Sequence, residues 1–190
     1  DAMVLPPDPQ ATPLLRAAEC AVRFFCVGEA VSIPLLRATW HVARQPLPRA
    51  VMGRIVRDEA AHGTFGFTLL DWAMPRLTEA DRVTLGGHAD LAIRFLYEQW
   101  EHTRRNPRSP SHDGDVLGWM GTDDYLALAG RSIQSHVIDP LEARGIPIAA
   151  QLGESTRFPL AAYDGRLREI AATGAAAIVP AAAGGSHVGP

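Results

Sequence analysis

The chain contains a single Glu-x-x-His, Glu59-Ala60-Ala61-His62, with Asp58 directly before it. On a helix, a spacing of three places both side chains on one face. That face continues through Met52, Ile55, Val56, Gly66 and Leu69, whereas Arg54, Arg57, Asp58 and Ala61 fall mostly elsewhere. The pattern therefore aims Glu59 and His62 into a bundle. A carboxylate and an imidazole taken out of water must be paired, neutralised or given a cation. Thirty residues upstream, Glu29 interrupts an apolar helical stripe of Val22, Phe25, Cys26, Ile33 and Leu36. Two antiparallel helices can bring the three groups level. Ligands of types O, O and N suit iron or manganese better than thiolate-preferring metals. The plainer alternative is a chance motif on an ordinary helix.

The elements that must position these groups follow from periodicity and breakers. Residues 1–12 are proline-rich and aperiodic. Helical spacing then runs from Leu14 to Arg44, with Pro34 inside it, where a missing N–H predicts a kink beside Glu29. Gln45 to Pro48 is a short connection, so a second helix, from about Arg49 to Met74, should run antiparallel to the first. After Pro75, Thr78 with Asp81 forms a capping signal for a third helix, Glu79 to Arg105, which Gly86-Gly87 should bend. Residues 106–121 are rich in Pro, Ser, Asp and Gly and read as a long surface loop. Thr122 should cap a fourth helix to Arg144, kinked by Pro140 and ended by Gly145 and Pro147.

The expected fold class is thus all-α, a bundle of about four main helices. Its domain spans 13–146, followed by an extension over 147–173 with a short helix at Asp164 to Ala172. An Ala/Gly/Pro tail over 174–190 reads as flexible. Gly28, Gly63 and Gly66 should allow close approach of the first two helices.

Composition removes several classes. The net charge is -3 at pH 7, without the basic excess that a nucleic-acid backbone demands. All eighteen basic residues are arginine, which excludes a Schiff-base lysine and a phosphate-loop lysine. No apolar run approaches the roughly 20 residues of a membrane span. The start, Asp1-Ala2-Met3, carries no signal-peptide pattern, so a cytoplasmic location is expected, and a chain opening on Asp1 reads as a processed form or a piece of something longer. Cys20 and Cys26 lie six apart on one helix, cannot close a disulfide, and read as reduced core residues.

Other polar groups are weaker candidates. Asp90, Arg94, Glu98, Glu101 and Arg105 form a charge ladder of the kind that faces water. His136 and Asp139 share a helical face, either as additional ligands or as a hydrogen-bonded pair at the bundle end. Phe24, Phe25, Phe65, Phe67 and Trp72 read as core, some of which would line a pocket if the site is live.

Glu29 followed by Asp58-Glu59-x-x-His62 resembles the half-repeat of ferritin-like di-iron carboxylate proteins. Two such halves form a four-helix bundle, giving a Glu from each of two helices and a Glu-x-x-His from each of the others. The spacing is most similar to bacterial di-iron oxygenases, including N-oxygenases of aryl amines. The likeness covers about residues 14–76. Ala61 stands where many relatives carry arginine, Ile55 where the N-oxygenases add a histidine, and no second Glu-x-x-His occurs. The resemblance implies Glu29, Glu59 and His62 as iron ligands and Asp58 as a residue orienting a ligating histidine. It also implies two irons shared with a second half-site, with manganese as the alternative metal. That half-site would come from a homodimer, a partner chain or another segment. The implied activity is an oxygenase or oxidase acting on a small organic substrate. A scaffold or assembly subunit with an incomplete site, and iron handling without an organic substrate, are the alternatives.

Overall fold

A computed structural model describes residues 11–107 and 114–148, whose regular elements are all helices joined by short connections, with no strand among them. The all-α expectation is met. The segment before residue 11, the short helix expected at 164–172 and the C-terminal tail lie outside the described residues.

The first rod is continuous from Pro13 to Val42 but changes pitch twice: α1 (Pro13–Cys20), a π-helical run (Ala21–Glu29) and α2 (Ala30–Val42). Thr12 starts it, its hydroxyl accepting the Leu15 N–H at 3.1 Å while Pro13 fills the first turn, where no donor is needed. The expected distortion lies on the N-terminal side of Pro34, because α2 runs through the proline as α-helix. A proline ring presses on the carbonyl four residues back. For Pro34 that is Ala30, the first residue after the widened run, whose N–H donates to Phe25 O. The fourth helix repeats the arrangement. It comprises α7 (Thr122–Ile133), a π-helical turn (Gln134–Ile138) and α8 (Asp139–Glu142), and the carbonyl opposite Pro140 belongs to His136 inside that turn. Gly121, not Thr122, caps it. Gly145 ends it at φ +71, the left-handed conformation that glycine adopts without penalty, and Ile146 N–H donates to Leu141 O at 3.1 Å.

The second rod is α3 (Pro46–Glu59) followed by α4 (His62–Ala73). Ala60 and Ala61 form a turn between the two helices, with Ala61 O already accepting the Phe65 N–H at 3.1 Å, so the Glu-x-x-His straddles a junction instead of sitting inside one helix. Both alanines keep right-handed helical dihedrals, so the rod continues and the shared face survives. The rod returns along the first, α3 on α2 and α4 on the π-helical run. Gly66 sets their separation: a Cβ there would lie 2.6 Å from Phe25 Cβ and 3.0 Å from the Cys26 backbone nitrogen. At Gly63 the obstacle would be Ile33 Cδ1 at 2.8 Å, whereas Gly28 has only an ordinary contact.

α5 (Glu79–Arg105) has the expected bounds and a full capping box, in which Asp81 N–H donates to the Thr78 hydroxyl and Thr78 N–H to the Asp81 carboxylate. Gly86-Gly87 does not break it; a Cβ at Gly86 would clash with Pro147 O, so glycine there admits the chain leaving the fourth helix. The short α6 (Gly114–Leu117) lies within the stretch read as loop, and Val116 O accepts both Arg44 N–H and Gln45 N–H.

The core gathers on the first rod from α4, α5 and α7, with Val22, Leu70, Leu85, Ile93 and Ile133 essentially inaccessible. Cys26 belongs to it, and burial pushes its thiol up to about 12, well out of the reactive range. Cys20 is exposed, contrary to the core expectation, being six residues away on a different side of the rod. Among the described residues no helix is long and apolar enough to cross a membrane.

Candidate metal centre

Glu29 closes the π-helical run on the first rod, and Glu59 and His62 flank the junction in the second. The packing of α4 on that run brings them together. His62 Nδ1 lies 2.6 Å from Glu59 Oε2 and 3.8 Å from Glu29 Oε1. One ligand atom from each residue falls within 4.8 Å of the others, and no other such cluster of three occurs among the described residues.

Both carboxylates approach Nδ1, which leaves the Nε2 edge of His62 turned away from them. Glu29 is held from behind. Ser32 Oγ donates to Glu29 Oε2 at 3.1 Å and also lies 3.2 Å from the Glu29 carbonyl, so Oε1 is the oxygen left for the cluster. Ser32 was not singled out from the sequence, although a serine three residues after a candidate glutamate on a helix carries that signal. Phe25 borders the site, its ring edge-on to His62 at 6.1 Å and to Phe65 at 4.7 Å.

The donor set fits a hard or borderline divalent ion: two carboxylate oxygens and one imidazole nitrogen on facing rods. The setting differs from the sequence expectation in burial. The side chains of Glu29, Glu59 and His62 are 31 %, 28 % and 48 % exposed, so the cluster opens to the surface of this chain instead of lying within its core. Periodicity identifies a shared face but does not say what covers it. The same correction applies to the aromatic set, since Phe24, Phe65 and Trp72 are about half exposed and only Phe25 and Phe67 are partly covered.

Asp58 points outward and binds Arg54 Nε at 3.0 Å, without a hydrogen bond to His62. His136 and Asp139 do not join the cluster: both are exposed, and Asp139 accepts a hydrogen bond from Gln134 Nε2 at 2.6 Å. The charge ladder of α5 faces water from Arg94 onward, but Asp90 is only 5 % exposed and belongs to the interior. His88 is mostly buried against Glu19 at 3.3 Å, a polar link between α5 and α1 that the sequence did not reveal.

Comparison of the chain with known protein families, with curated proteins and with solved structures gave no match.

Proposed function

We propose that this chain supplies one half of a ferritin-like di-iron carboxylate centre that activates dioxygen for oxidation of a small organic substrate. The observation that carries the reading is the convergence of Glu29, Glu59 and His62 from two antiparallel rods onto one point. Glu29 and Glu59 would hold the metal through Oε1 and Oε2, His62 through Nδ1, and Ser32 would fix the Glu29 carboxylate. Iron would supply the oxygen chemistry when bound; manganese fits the same donors. The residues beside it would exclude water on one flank, with Phe25 and Phe65 forming an apolar wall against which a substrate can lie.

A complete centre of this type uses about six protein ligands, and three are supplied here. A second half-site is therefore part of the reading. The absence of a second Glu-x-x-His favours one alternative, a ferritin-like scaffold subunit that binds no metal. Metal analysis separates the two: protein loaded with ferrous iron under argon, desalted and then exposed to air should retain iron and develop near-ultraviolet absorption. Iron content near zero leaves the scaffold reading. Product from an added aryl amine would then distinguish oxygenation from iron handling.

A further inference from the structure

The second rod carries a stripe whose spacing alternates four and three: Val51, Ile55, Asp58, His62, Phe65, Leu69 and Trp72. That is the seam of a coiled coil. The described residues do not bury it. Val51, Phe65 and Trp72 are 49 %, 49 % and 56 % exposed, Asp58 and His62 are exposed, and Ile55 and Leu69 are only partly covered. His62, one of the three residues of the candidate cluster, sits at the middle of the stripe, and Glu59 lies beside it.

Reversing the stripe onto itself yields a self-complementary register. With the two-fold axis at Ala60, Val51 meets the second copy's Leu69, Ile55 meets its Phe65, and Asp58 meets its His62. Each layer pairs one seam position with the other type, as antiparallel helices require. The central layer is complementary in charge and in hydrogen bonding. His62 turns Nδ1 to its own carboxylates, so its Nε2–H is the donor available to an acceptor across the axis. Asp58 is such an acceptor, tied among the described residues to Arg54 in an exposed pair of little worth. Ala60 and Ala61, small and exposed, sit where the rods would cross most closely.

We propose that the stripe is the interface for a second copy of this chain, paired antiparallel in this register, and that the pairing depends on metal. The proposal rests on the metal reading above and names the source of the missing half-site. Two copies bring Glu29, Glu59 and their counterparts together, four negative charges on one axis. Without cations they repel; two divalent ions balance them.

The test uses manganese, which binds such donors without reacting with oxygen, and reads mass by sedimentation and bound metal by equilibrium dialysis. The chain should be monomeric in chelator and dimeric in manganese, with one ion bound per chain. Ile55→Lys and Phe65→Glu should each weaken the dimer at least about tenfold. An equimolar mixture of the two should regain it, because one layer becomes a Lys–Glu pair and the other remains Ile–Phe. Loss without recovery in the mixture overturns the register. Manganese bound by a chain that stays monomeric overturns the self-association and leaves the metal reading standing. No manganese bound at any protein concentration overturns the metal reading and the pairing with it.

Discussion

The first rod has two sides that solve opposite problems. Toward α5 and α7 it buries apolar side chains completely, with Val22, Ile93 and Ile133 at or near zero exposure. Toward the open flank, where α4 also rests on it, it carries Glu29 beside Glu59 and His62, bordered by half-exposed aromatics. A helix that is apolar on one face and chemically equipped on another can leave stability to the first and chemistry to the second. The sealed side sets whether the chain folds; the open side carries the candidate site.

The largest effect should come from the sealed side. Ile93→Ala removes a fully buried side chain and leaves a cavity between helices, at a cost of about 2–5 kcal/mol. Phe65→Ala on the open side loses the edge-on contact with Phe25 but little burial, about 1 kcal/mol. Urea unfolding of the metal-free monomer measures both, and equal losses would erase the distinction between the two sides.

A smaller effect is expected where the two regions are tied together. Arg144, at the end of the fourth helix, forks onto Asp71 of α4 at 2.7 and 3.0 Å and lies over the Phe67 ring. Its hydrogen bonds hold the Asp71 carboxyl below the ordinary value of 3.8. A carboxyl depressed in the folded state stabilises above its unfolded pKa and loses that contribution as pH falls through the folded one. Asp71 is well exposed, so solvent screening limits the tie to under about 1 kcal/mol at neutral pH. Arg144→Gln should therefore lower stability slightly at pH 7 and not at the acid extreme, where Asp71 is already protonated. A parallel offset at every pH would locate the contribution of Arg144 in its packing over Phe67.

The smallest effect on stability belongs to the site itself. Glu59→Ala should leave the unfolding midpoint of the metal-free chain level or slightly raised, because losing a half-exposed pair with His62 is offset by relief of repulsion with Glu29. Metal affinity should nevertheless fall by more than about tenfold. A stability loss of several kcal/mol would make Glu59 a structural residue and weaken the metal reading.

Much of this division was legible in the sequence, and the gaps have physical causes. The bounds of α5 followed from Thr78 and Asp81, because a capping box is a local signal that does not depend on tertiary context. The three clustered residues followed from spacing. The junction at Ala60-Ala61 did not, since alanine is the best helix former and nothing local marks the turn. Periodicity likewise placed Phe65, Trp72 and His62 on faces of a helix without saying which faces this chain covers. Asp90 was misread for a related reason: a charge ladder defines a stripe, and the first rung of a stripe can turn under a neighbouring helix.

The π-helical run before Glu29 bears on how relatives of this chain should be aligned. In an ordinary helix each residue advances about 100° around the axis, so i→i+5 bonding before Glu29 amounts to an insertion absorbed without a loop. Deleting one residue between Ala21 and Gly28 would let the run relax toward standard pitch and swing Glu29 away from His62. A sequence with the same site but an unwidened rod would need a one-residue gap ahead of the glutamate. Scored without that gap, it would set Gly28 or Ala30 opposite the glutamate, and the correspondence would be lost at the very column that carries it.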